Sequence, residues 1–280
     1  MVVRTYKNIA YGPHERNRLD AYIAENRGTP SPVLIYFHGG GYIRYDKSEV
    51  LNHQLMQECL DRGISVVSCN YRYILSDPFP APMQDGTRAI QFVRHMANQW
   101  GFDPERIVSS GQSAGGHIAL WNALRGNLAQ PDSVDEIERQ RSDVCGFAGY
   151  ITQVSKDQRF YESIYEGPYI QPNLALFYGA TDLEELQSPE MLELAEKASA
   201  IHYMSASAPP AFMTYNLPLT GANIPANLTV GEVIHHPVHG YMLKREYDKL
   251  EIPFTLRHTD DPVRHGEMIA FVQRCISAVR

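Results

Sequence analysis

No run of apolar residues in this 280-residue chain is long enough to cross a bilayer, which takes about 20 in succession. Basic residues are outnumbered, 25 Lys and Arg against 32 Asp and Glu, for a net charge of −7. That balance gives no reason to expect nucleic acid or an anionic membrane as partner, and an acidic substrate would need a local basic patch. Cysteine is scarce: Cys59, Cys69, Cys145 and Cys275 lie far apart, none in the close pair of a zinc or redox motif, so buried free thiols are the default. Residues 1–14 lack the roughly 7 to 15 apolar residues of a signal-peptide core, which predicts a cytoplasmic location. Internal repeats and low-complexity tracts are absent too.

What is present has a clear rhythm. Hydrophobic residues at 44% and charged residues at 20% suit a globular chain with a large core. Short apolar runs at 19–23, 33–37, 64–69, 107–110, 144–151, 211–215 and 254–257 alternate with longer amphipathic stretches, the pattern of βα units around a mostly parallel sheet. Helices are expected after Ser48 as N-cap (Leu51, Leu55 and Cys59 forming the buried stripe), over 82–100, 114–128 and 238–250, and at the C-terminus. One domain, 1–280, is expected. Residues 152–210 are too long for a plain loop and read as a lid-like insertion over the sheet's C-terminal edge.

Gly111-Gln112-Ser113-Ala114-Gly115 is G-x-S-x-G placed directly after a strand and before a helix, the setting of a nucleophile elbow. By composition such a match arises in roughly one chain in ten of this length, as a plain glycine-rich turn; the strand-turn-helix context argues for the elbow. A second motif, His38-Gly39-Gly40-Gly41, ends the 33–37 strand, and its glycines free backbone amides to face a developing oxyanion. Gly40, Gly41 and the amide of Ala114 are the expected donors. A phosphate-holding loop would want a lysine-bearing or dinucleotide fingerprint, and neither occurs.

These two motifs, with Asn70-Tyr71-Arg72-Tyr73, residues 79–85 and residues 102–107, closely resemble the hormone-sensitive-lipase-like branch of the α/β-hydrolase superfamily, over about residues 18–120. The resemblance implies an eight-stranded sheet, a Ser-His-acid triad in that chain order, no cofactor, and hydrolysis of small carboxylic esters through Ser113. The histidine should follow the last strand, where His265 stands in a loop before Gly266 and the closing helix, with His258 as competitor. The branch places its acid just after the 211–215 strand, yet this sequence has Asn216-Leu217-Pro218-Leu219 there. The substitutes are Asp260, the first choice, then Asp261, Glu232 and Asp182, each of which also reads as a solvated loop carboxylate.

His235, His236 and His239 lie close together, but no Asp, Glu or Cys completes a metal set at ligand spacing, and a capping or packing role before Pro237 is the plainer reading. Tyr161, Tyr165 and Tyr169 recur at four-residue spacing, as a helix face packed on the core or a crevice wall. The expected partner is a small ester, with no nucleic acid, no stable membrane insertion and a homo-oligomer left open. Carbohydrate deacetylase, arylformamidase and peptidase share the same machinery, and a non-catalytic binding protein is the rival from another class.

Overall fold

A computed structural model describes residues 3–24, 28–262 and 265–279. Eight strands form one sheet in the order β1-β2-β4-β3-β5-β6-β7-β8. They are β1 (Val3–Ala10), β2 (Arg18–Ala24), β3 (Ser31–Phe37), β4 (Ser65–Cys69), β5 (Phe102–Gln112), β6 (Gly146–Tyr150), β7 (Ala211–Thr214) and β8 (Phe254–Arg257). The two pairings made by β2 are antiparallel and the rest parallel. This is the expected α/β-hydrolase fold. The polar strand β1 was not expected; its Arg, Lys and Asn break the apolar pattern because it lies at the sheet's edge.

The central strands are apolar without alternation because both faces are covered. Along β3, Val33, Ile35 and Phe37 enter one core and Leu34 and Tyr36 the other, the two-residue period of a strand. The first core is roofed by α2 (Ala81–His95), α3 (Ala97–Trp100), α4 (Ala114–Arg125) and α9 (Val238–Lys249); the second by α1 (Gln54–Asp61) and α10 (Glu267–Ala278). The expected N-cap at Ser48 is displaced: Asp46 accepts from the Ser48 amide to cap a short 3-10 turn, and Leu51 stays exposed. Gly101, at φ 76°, ends α3 where a left-handed residue is needed. Among the described residues no helix is long and apolar enough to cross a membrane.

Residues 152–210 carry α5 (Gln158–Ile164), α6 (Asn173–Tyr178) and α7 (Pro189–Ala198). The apolar run at 174–178 is thus a helix, and Leu174 and Phe177 are buried by it. The tyrosines do not share a helical stripe: Tyr161 is in α5, Tyr165 caps its end, and Tyr169 folds back to stack on Tyr165 at 4.4 Å.

Candidate functional site

β5 runs to Gln112, α4 begins at Ala114, and Ser113 sits between them at φ 52°, ψ −115°. That left-handed backbone is uncommon for a residue with a Cβ and costs about 1–3 kcal/mol, so the surroundings must enforce it. They do so by close approach. A Cβ on Gly115 would lie 2.1 Å from the Phe37 carbonyl oxygen and 2.2 Å from that of His38, both backbone atoms that cannot yield. We expect Gly115→Ala to lose about 3 kcal/mol of stability, read as a lowered urea midpoint at unchanged slope.

The glycine-rich loop lies beside this turn: a Cβ on Gly39 would be 3.8 Å from that of Ser113. Gly40 and Gly41 take φ 97° and 63°. Tyr71 anchors the loop, its hydroxyl donating to the carbonyls of His38 (2.8 Å) and Gly39 (3.0 Å). Its neighbour Arg72 is gripped in turn by the buried Asp85, through guanidinium and amide. Among the described residues, none accepts a hydrogen bond from the amides of Gly40, Gly41 or Ala114, and all three residues line the same cavity as Ser113, about 460 Å³ in volume. Backbone amides without a protein acceptor beside the nucleophile are the kind of donor an oxyanion can use.

The histidine beside Ser113 is not the expected one. His235 Nε2 lies 2.8 Å from Ser113 Oγ. His265 is exposed and lines a separate cavity with His258, Asp261 and Glu267. The reason is local: α8 (Val230–Ile234) opens on a capping box in which Thr229 and Glu232 satisfy each other's backbone amides, and His235 is its C-terminal cap. That short helix, on the long connection after β7, carries the imidazole into the cavity. Thr229-x-x-Glu232 was the available signal in the sequence. The rest of the histidine cluster is spent on packing: His236 Nδ1 accepts from the Val238 amide at 3.3 Å, and His239 Nε2 donates to the Val233 carbonyl at 3.2 Å.

None of the four expected acids approaches His235. Asp260 lies 3.7 Å from His258, and Asp261 accepts the His258 amide at 2.9 Å. Glu232 is occupied by its capping box, and Asp182 accepts the Glu185 amide. The triad expected from Ser113, His265 and Asp260 is therefore not assembled. Burial, and then the positive charge of Lys156, hold His235 down at about 4, and no carboxylate among the described residues acts against them. Sequence reasoning also missed Lys156: it is 6% exposed, lies in the cavity, and has Gln153 Oε1 as hydrogen-bond acceptor.

Curated relatives include a protein of Arabidopsis thaliana named "Probable isoprenylcysteine alpha-carbonyl methylesterase ICMEL1", 31% identical over 51% of this chain and 30% of its own length. Another is "Probable carboxylic ester hydrolase LipM" of Mycobacterium tuberculosis, 28% identical over 74% of this chain and 46% of its own. The chain thus spans less than half the length of either. A solved structure described as a truncated carbohydrate esterase from gut microbiota superposes with a TM-score of 0.77 at 19% identity, covering 98% of this chain and 96% of that one, a likeness of fold. The BD-FAE family profile matches residues 19–216, from β2 through the end of β7, with both glycine motifs and Ser113 inside the match. The chain belongs to the BD-FAE family, within the α/β-hydrolase superfamily.

Proposed function

We propose that the protein is a serine esterase of the hormone-sensitive-lipase-like branch, cleaving small carboxylic esters with a Ser113–His235 dyad. The observation that carries this reading is the 2.8 Å contact between Ser113 Oγ and His235 Nε2 in a cavity lined also by Gly40, Gly41 and Ala114, whose amides have no acceptor among the described residues.

A neutral imidazole accepts the hydroxyl proton at Nε2 as Oγ attacks the ester carbonyl. The tetrahedral oxyanion takes hydrogen bonds from the three amides, each such donor being worth on the order of 3 kcal/mol. His235 then returns the proton to the leaving alkoxide, and water repeats the sequence on the acyl-enzyme. Among the described residues no side-chain acid orients His235, so turnover should fall short of a complete triad, in which the acid is worth up to about four powers of ten. Residues 152–210 form one wall of the cavity through Leu174 and Phe177, which supports reading the chain as one domain with a lid-like insertion there.

The test is reaction with a fluorophosphonate alongside hydrolysis of nitrophenyl acetate and butyrate. The expected result is a single adduct on Ser113 that abolishes hydrolysis in step with labelling. Hydrolysis that survives full labelling of Ser113, or a folded protein that neither labels nor hydrolyses, overturns the reading in favour of a binding protein.

A further inference from the structure

A lysine buried to 6% exposure, with no carboxylate paired to it among the described residues, is an expensive feature. Lys156 follows β6 in a segment, 152–158, that is buried throughout. Its ammonium lies 5.0 Å from the centre of the Tyr42 ring and 5.1 Å from that of Phe177, and donates to Gln153. The Tyr178 hydroxyl holds its backbone carbonyl at 2.7 Å, which anchors the main chain from which the side chain starts. The neighbouring Asp157 is committed to Arg159 and to capping α5. Among the described residues, the wall of the cavity shared with Ser113 has two cationic side chains, Lys156 and Arg44, and not one Asp or Glu, in a protein whose net charge is −7. The local basic patch that an acidic substrate needs is thus beside the serine.

We propose that Lys156 is the receptor for a carboxylate carried by the substrate, so that the preferred esters are half-esters or other esters bearing a free carboxylate near the scissile bond. The proposal rests on the esterase reading and names its substrate class. Two physical gains follow from one contact. The carboxylate supplies the missing counter-ion of a desolvated ammonium, a charge-assisted hydrogen bond in a dry site. It also cancels the positive field that opposes protonation of His235, and protonated His235 is the form the transition state requires. A substrate-borne anion would therefore stand in electrostatically for the absent acid, raising kcat as well as lowering KM.

The groups around Lys156 allow a clean titration. His117 of α4, His235 at the end of α8 and His239 of α9 feel its charge, and Tyr42, Tyr161 and Tyr178 surround it. The histidines are all pushed down by burial and the tyrosines up, so between pH 5.5 and 9 Lys156 is the group here that changes charge, desolvation having lowered it to about 7.

The experiment compares kcat/KM for nitrophenyl hemisuccinate, hemiglutarate and hemiadipate with the neutral butyrate, valerate and hexanoate, in the parent and in Lys156→Met, together with calorimetric binding of glutarate. The expected result is a preference of about ten- to a hundredfold for at least one half-ester at pH 6, of the size a hydrogen bond between charged groups supports. That preference should fall about tenfold per pH unit above 7, and vanish in Lys156→Met along with glutarate binding. The pH profile of the parent alone carries the test if the variant does not fold. Ester hydrolysis without any such preference, or with one that Lys156→Met and pH leave unchanged, overturns the proposal and spares the esterase. Lysine-dependent glutarate binding without hydrolysis of any ester overturns the esterase and spares the anion site; loss of both overturns both.

Discussion

Replacing His235 by alanine should lower kcat/KM for a neutral nitrophenyl ester by about a hundredfold, what is left to the base when a whole triad is worth about six powers of ten and the missing acid more than four of them. The same change at His265 should alter it by less than about twofold. The contrast follows from placement: His235 Nε2 touches Ser113 Oγ, whereas His265 is exposed in another cavity. Local burial and Lys156 depress His235 to about 4, which keeps it neutral and able to accept a proton throughout the physiological range. In Lys156→Met, where no neighbouring ammonium titrates near 7, the pH profile should therefore lack the inflection near 6.5 that an unperturbed histidine base imposes. A depressed base is also a weaker one, so the plateau should be low. Loss of activity in His265→Ala with retention in His235→Ala would invert the assignment. An inflection near 6.5 in that variant would show that burial does not hold His235 down.

The features legible in the sequence were those written locally. β3 and β5 announce themselves because seven consecutive positions of the one and five of the other (107–111) are screened from water, and the elbow because strand, glycines and helix are adjacent in the chain. The histidine was not legible, because its position depends on where a long excursion after β7 returns to the sheet. His235-His236-Pro237 looks like the entrance to α9, and for His236 it is; only the short helix α8 turns its neighbour toward Ser113. The loop after β7, where the resemblance places an acid, delivers the imidazole instead. Lys156 was hidden for a different reason: lysine is ordinarily a solvated residue, and nothing in Gln153-Val154-Ser155-Lys156 marks the segment as buried. Its meaning emerges only with the carboxylate-free cavity around it.

Acid should unfold this protein earlier than its net charge suggests. His38, His117 and His239 are fully buried, and desolvation holds all three down, His38 at about 4 and His239 at about 3. The sign follows from proton counting: below about 6.5 the unfolded chain protonates these rings and the folded one does not, so stability is present above 6.5 and is lost as pH falls. Each ring costs about 1.4 kcal/mol per pH unit in that window. By pH 5 the three together remove about 6 kcal/mol, comparable with the whole stability of many domains. The thermal midpoint should accordingly drop by about 10–20 °C between pH 7 and pH 5, followed by circular dichroism. His239→Gln should reduce the slope of midpoint against pH by about a third, whatever it does to the midpoint itself. A midpoint that stays constant down to pH 5 would mean the rings take up protons in the folded state as readily as in the unfolded chain, which their burial opposes. The consequence for activity is that turnover on the acid side should end where the fold does, between pH 5 and 4, with the far-ultraviolet signal and the ester rate falling together, before His235 itself has taken up its proton.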